Sequence, residues 1–87
     1  MADSAEEWRR GLMNIRKPVD YDGMLFVFPE KQPRTFWNKN TYLDLEIYWI
    51  DGEQIVGKDE LPSVLQTRKV VMVSSGREVD RVVEVIK

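Results

Sequence analysis

Cysteine and histidine are both absent from this sequence. Without cysteine the chain has no disulfide framework, no thiolate nucleophile and no zinc–thiolate site. Without histidine it lacks the commonest general base near neutral pH and the commonest transition-metal ligand. Catalysis would therefore depend on carboxylates, Lys, Tyr or Ser, and a bound metal would be a hard ion held by oxygen. From these residue types we expect no cofactor, no metal and no enzymatic activity.

A long apolar run and an excess of basic residues are also missing. No stretch approaches the roughly 18 apolar residues of a membrane span, and the N-terminus lacks the apolar core of a signal peptide. The net charge is −2 and the sequence pI is about 5.1, whereas a dedicated nucleic-acid binder usually carries a basic stripe. We therefore expect a soluble, cytoplasmic protein that has no membrane span and binds no nucleic acid.

The composition that remains is that of one ordinary globular domain. The chain has 87 residues, of which 43% are hydrophobic and 32% are charged. A chain of this length builds one hydrophobic core. We therefore predict a single domain over residues 1–87.

One short helix is predicted near the N-terminus, over residues 5–13. Ser4 and Glu7 fit a capping box, in which the Ser side chain and the Glu side chain each bond a free backbone N–H. Trp8 and Leu12 follow at helical spacing and form an apolar stripe. We expect this stripe to dock on a sheet and Trp8 to belong to the core.

Most of the remaining sequence predicts β-strands, because apolar and β-branched residues cluster in short runs separated by turn residues. Residues 29–33 are predicted to form a turn, and residues 58–67 a loop with one helical turn. The fold class is therefore mainly β, a compact antiparallel β-sandwich with one short N-terminal helix. The predicted strands are 24–28, 36–37, 42–50, 54–57, 69–73 and 81–86.

The clearest strand pattern is that of residues 42–50. Its apolar side chains alternate with polar ones, which predicts one buried and one exposed face. Asp51-Gly52 follows, and such a pair is typical of a tight type I′ hairpin turn leading into residues 53–57. The residues expected to be buried are Leu43, Leu45, Ile47 and Trp49, and those expected to be more exposed are Tyr42, Asp44 and Glu46.

Three motifs resemble those of a known family. They are Gly-Leu-Met at 11–13, Gly-Met-Leu-Phe-Val-Phe at 23–28 and Phe-Trp-Asn-Lys-Asn-Thr at 36–41. In this pattern and spacing the chain is similar to the small prokaryotic proteins grouped as domain of unknown function 192, some of which are exported. The resemblance implies a jelly-roll-type sandwich and no established activity. Family members generally begin with a strand that this chain largely lacks, so we expect an open sheet edge or a rearranged first strand.

The segment from Arg34 to Asn40 is the best candidate for a ligand site. Trp37 offers a flat face for stacking, and Asn38 and Asn40 offer hydrogen bonds that could orient a polar ligand or a partner. Lys39 and Arg34 would supply positive charge. The alternative interpretation is a core Trp beside a turn whose polar residues only favour bending and solvation. A Trp in a site should be partly exposed, and a core Trp should not.

Two other hypotheses come from different functional classes. Asp44 and Glu46 are expected on one strand face, flanked by tyrosines, at about the 7 Å spacing that paired carboxylates in glycoside hydrolysis could use. They would serve as acid and base in a carboxylate-based hydrolase. The third hypothesis is an interaction module that uses an exposed sheet edge, through which a homo-oligomer could also form.

Overall fold

Strands dominate the part of the chain that the structure, a computed structural model, describes, which is residues 22–87. The helix predicted over residues 5–13, including Trp8, lies outside this part. Among residues 22–87 there is no helix long and apolar enough to cross a membrane. The elements are β1 (Gly23–Gln32), β2 (Thr35–Trp37), β3 (Leu45–Asp51), β4 (Gln54–Leu61), α1 (Val64–Thr67), β5 (Met72–Ser74) and β6 (Val79–Ile86).

The strands form two antiparallel sheets. The larger sheet has the order β1–β6–β3–β4, and the smaller sheet is the two-stranded ribbon of β2 and β5. Phe36 of the ribbon packs edge-on against Phe26 and Trp49 of the larger sheet, with ring centroids 5.1 and 5.7 Å apart. Edge-to-face contact is a favoured geometry for aromatic rings. The predicted class, a mainly β antiparallel domain with packed sheets, is confirmed.

The core lies on the face of the larger sheet that the ribbon covers. The alternation predicted for β3 is confirmed, because its apolar side chains are buried while Tyr42, Asp44 and Glu46 are half-buried. The buried apolar side chains are Phe26, Phe28, Leu43, Leu45, Ile47, Trp49, Leu61, Val79 and Val82.

The hairpin between β3 and β4 forms as predicted, but its turn is displaced by one residue. Asp51 pairs with Gln54, so the two central turn residues are Gly52 and Glu53. Positive φ occurs at Gly52 (64°) and not at Glu53. A turn with positive φ at its first central residue alone places Gly where a type II′ turn needs it. The prediction of a type I′ turn with Asp51-Gly52 at its centre is therefore wrong.

The returning strand β4 is longer than expected and reaches Leu61. Its polar residues are held by β3, because Lys58 pairs with Glu46 at 2.6 Å and Asp59 accepts the indole N–H of Trp49 at 2.8 Å. Because β3 supplies these cross-strand partners, residues 58–61 form a strand although their composition predicted a loop.

Strand β1 also extends beyond its prediction, to Gln32. It passes through Pro29, where a turn was expected, and its pairing with β6 is irregular between Val27 and Gln32. Proline is tolerated in edge strands and at bulges, because no ladder hydrogen bond is lost there. Among the strands of residues 22–87, β1 lies at one edge of the larger sheet, which explains why this strand can contain a proline.

Removing a tryptophan should have very different effects at the two described positions. We expect Trp49→Ala to lower the free energy of unfolding by about 3–5 kcal/mol, because it removes a buried side chain from the core. Trp37→Ala should cost about 1 kcal/mol or less, because 48% of Trp37 is exposed. Urea melts of both variants measure the difference. Equal losses would contradict the outward orientation of Trp37.

Candidate functional site

Trp37 lies on the solvent-facing side of the β2–β5 ribbon. It is directly opposite Met72, and Thr35 is directly opposite Ser74. Because side chains alternate along a strand, these four residues share one face, while Phe36 points to the core. Trp37 is 48% exposed and Met72 is 66% exposed. We call the surface formed by Thr35, Trp37, Met72 and Ser74 the β2–β5 outer face.

A tight turn places a cation beside this face. The backbone N–H of Thr41 donates to the carbonyl of Asn38 at 3.0 Å, and Asn40 at the third turn position has a φ of 54°. Asparagine tolerates this left-handed conformation better than most residues. Lys39, the second turn residue, consequently has its ammonium nitrogen 5.4 Å from the centre of the Trp37 ring. Asn40 is exposed beside Lys39, and its expected contact with a ligand stays a prediction.

Asn38, in contrast, is a structural residue. Its side chain is 0% exposed. Its amide group donates to the carbonyl of Pro62 at 2.9 Å and to the Thr67 hydroxyl at 3.0 Å, and its oxygen accepts the Val71 N–H at 2.8 Å. We call these three bonds the Asn38 clamp. They occupy the side chain, so the prediction that Asn38 contacts a ligand is wrong.

Arg34 does not join Trp37 either. The two residues are three positions apart, so their side chains leave the strand on opposite sides. The Arg34 guanidinium stacks 3.9 Å above the Phe28 ring and donates to the carbonyl of Glu30 at 3.1 Å. Partial burial there lowers the pKa of Arg34. The structure therefore corrects the expectation that Arg34 supplies charge beside Trp37.

Two other basic residues, which the sequence interpretation missed, lie on the loop after α1. Arg68 and Lys69 are exposed and follow α1, and Val70 is an exposed apolar residue next to them. The Asn38 clamp holds both ends of this loop, at Thr67 and at Val71. Residues 35–41 and 64–74 contain no acidic residue, although the whole chain has a net charge of −2. The two segments that carry the β2–β5 outer face thus contain Lys39, Arg68 and Lys69 and no acidic residue.

Asp44 and Glu46 have structural partners rather than free carboxylates. Asp44 accepts the backbone N–H of Ser63 and the side-chain amide of Gln66, each at 2.8 Å. Glu46 pairs with Lys58 at 2.6 Å and accepts the Tyr48 hydroxyl at 3.2 Å. The hydrogen bond from Lys58 lowers the pKa of Glu46. A general acid needs the opposite shift.

A buried carboxyl group also escaped the sequence interpretation. Glu84 lies on β6 between Met24 of β1 and Ile47 of β3, and it is only 4% exposed. On its own strand the neighbours on the same face are Val82 and Ile86. Its Oε1 atom has no hydrogen-bond partner. Because burial disfavours the charged form, the pKa of Glu84 is raised to about 8.

Comparison with known proteins identifies relatives by fold and family. The family model of domain of unknown function 192, described as uncharacterized ACR, matches residues 1–87. No curated protein gives a match.

Two solved structures are similar to this chain. One, from Sinorhizobium meliloti, is described as a candidate transcription regulator; it is 30% identical, with a TM-score of 0.81 over 98% of this chain and 64% of that protein. The other, of unknown function, is from Novosphingobium aromaticivorans. It is 21% identical, with a TM-score of 0.82 over 98% of this chain and 59% of that protein. The second likeness shows the fold alone. The chain spans less than two thirds of either protein.

The Asn38 clamp gives a stability prediction with a matched control. Asn38→Ala leaves the Val71 N–H and the Pro62 carbonyl without their partner, and each such loss costs about 1–3 kcal/mol. We expect a total loss of roughly 3 kcal/mol in urea melts. Asn40→Gly should change stability little, because glycine adopts positive φ without strain. Similar losses in both variants would contradict the clamp.

Glu84 gives a prediction on pH. The pKa of the Glu84 carboxyl group in the folded protein, about 8, lies above the ordinary value of 4.5. The protonated carboxyl therefore favours the fold, so its full contribution is present below about pH 4.5 and is lost as the pH rises to about 8. Relative to Glu84→Gln, the wild type should lose stability across this window, by roughly 5 kcal/mol at most. Urea melts at several pH values test this, and parallel pH profiles would contradict it.

Proposed function

This chain belongs to the domain of unknown function 192 family, and we propose that it is a non-catalytic binding domain whose contact surface is the β2–β5 outer face. The observation that carries the proposal is the outward position of Trp37, in register with the exposed Met72. Tryptophan and methionine are enriched where proteins contact partners, and tryptophan contributes much of the binding energy there.

The chemistry of Trp37 suits a contact role. No hydrogen bond of its indole N–H is made among residues 22–87, whereas the buried Trp49 donates its indole N–H to Asp59. Trp37 therefore presents an exposed apolar ring together with an indole N–H that no residue of 22–87 accepts. Lys39 adds a positive charge within reach of a ligand on that ring.

Rigidity of the supporting structure is a second argument. Strand β2 is anchored below by Phe36, and the residues on either side of the β2–β5 outer face are tied by the Asn38 clamp. A surface that is ordered before binding loses less conformational entropy when the ligand arrives. This arrangement favours binding by a preformed surface.

The hydrolase hypothesis has weaker support. Its two carboxylates are already bonded to Ser63, Gln66, Lys58 and Tyr48, and the pKa of Glu46 is lowered. The interaction hypothesis based on a sheet edge is also less favoured, because both outer strands of the larger sheet carry residues that discourage strand addition. These residues are Pro29 and Lys31 on β1 and Lys58 and Glu60 on β4. The description of the Sinorhizobium protein as a candidate regulator is compatible with a binding role.

Fluorine NMR of the full chain labelled with 5-fluorotryptophan tests the proposal. Single Trp→Phe variants assign the resonances of the tryptophans. The probes are an acidic peptide with apolar residues, its lysine-for-glutamate counterpart, oligothymidylate and a neutral oligosaccharide. We expect at least one probe to shift the Trp37 resonance and leave that of the buried Trp49 unchanged. If no probe shifts Trp37, or if probes shift other resonances only, the proposal is wrong.

A further inference from the structure

We infer that the occupant of the β2–β5 outer face is an acidic protein segment with an apolar anchor residue. The inference rests on the proposed function and names the partner class of the same surface. It depends on two properties that the surface combines, an apolar centre and a basic border.

The apolar centre is larger than Trp37 alone. Met72 stands opposite Trp37 in the ribbon, and Val70 lies on the loop that leads into β5. All three side chains are exposed. Adjacent exposed apolar side chains such as Trp37 and Met72 often mark a site of interaction. An apolar side chain of a partner would pack on these two side chains together.

The basic border consists of Lys39, Arg68 and Lys69. Lys39 is placed by the turn beside the Trp37 ring. The other two belong to the loop whose ends are held by the Asn38 clamp, and the Lys69 carbonyl accepts the Thr67 hydroxyl at 2.7 Å. The two segments that surround the face contain no acidic residue. Complementary charge on a partner would therefore be negative.

A protein segment suits this combination better than a single-stranded nucleic acid. Nucleic-acid grooves stack successive bases on several aromatic rings and neutralise a run of phosphates. Among residues 22–87 one tryptophan is exposed, and the residue opposite it in the ribbon is Met72 rather than a second aromatic residue. The net charge of −2 of the whole chain also disfavours a polyanion. A partner segment with acidic residues on either side of one apolar anchor residue would carry its negative charge where it can form ion pairs with Lys39 and Lys69.

Fluorescence anisotropy of labelled peptides, titrated with the unlabelled 87-residue chain, tests the inference. The probe is a short fluorescein-labelled peptide of glutamate and aspartate around leucine and phenylalanine. The matched peptides replace the acidic residues by lysine or the apolar residues by serine. We expect the acidic apolar peptide to bind most tightly, and its affinity to fall as the salt concentration is raised. Trp37→Ala should weaken binding about tenfold or more, as for a hot-spot tryptophan, and Met72→Ala and Lys39→Glu should each weaken it several-fold.

Two variants elsewhere on the surface are the controls. Ile55→Ala removes an exposed apolar side chain on β4, and Arg77→Glu reverses an exposed charge beyond β5. Neither should change the affinity. Tighter binding of the lysine peptide or of oligothymidylate, weakened by Trp37→Ala, would overturn the acidic-segment inference and leave the proposed function standing. Binding that Trp37→Ala and Met72→Ala leave unchanged would overturn both. Absence of binding by every peptide would overturn the acidic-segment inference alone.

Discussion

The position of Phe36 fixes how the two sheets face each other. Its ring is wedged edge-on between Phe26 of β1 and Trp49 of β3, two fully buried side chains of the larger sheet. Because side chains alternate along a strand, burying Phe36 forces Thr35 and Trp37 to the opposite side. The exposure of Trp37 is thus a consequence of core packing one residue earlier. A single step in the chain separates a core aromatic residue from a surface one.

A second constraint, the Asn38 clamp, acts one residue later. The amide of Asn38 reaches residues in three places, before α1, at its end and before β5. A buried amide is favourable only when its donors and acceptor are satisfied, and here they are. The clamp therefore joins the loop carrying Arg68 and Lys69 to the turn carrying Lys39. Positively charged residues that are far apart in sequence therefore lie on two segments that meet at Asn38.

Sequence patterns predicted correctly those features that depend on neighbouring residues in the chain. The burial of Leu45, Ile47 and Trp49 followed from alternation, and an exposed Trp37 was one of two stated outcomes. The misses have a common cause, which is dependence on residues distant in sequence. Lys58–Glu60 became a strand because β3 supplies partners for it.

Asn38 was assigned to a ligand because its true partners lie 24, 29 and 33 residues away. No spacing rule in a single sequence reveals such contacts. Met72 was missed for the same reason, since its place opposite Trp37 depends on the pairing of β2 with β5. The error in the predicted turn is smaller. The predicted central residues, Asp51-Gly52, and the observed ones, Gly52-Glu53, both include the glycine that the turn requires.

Asn38 and Glu84, two of the four buried polar residues in the described part of the chain, contrast in their effect on the fold. Asn38 is fully bonded and stabilises the loops around the β2–β5 outer face. Glu84 has an unpartnered oxygen among apolar side chains of the larger sheet, so its ionised form opposes folding. An apolar or amide residue at position 84 would serve the sheet better. Glu84 lies within the larger sheet between β1 and β3, whereas Asn38 bonds the loops beside the ribbon, so the two effects are separable. The charge state of Glu84 governs how stable the scaffold is, whereas Phe36 and Asn38 govern which side chains it presents.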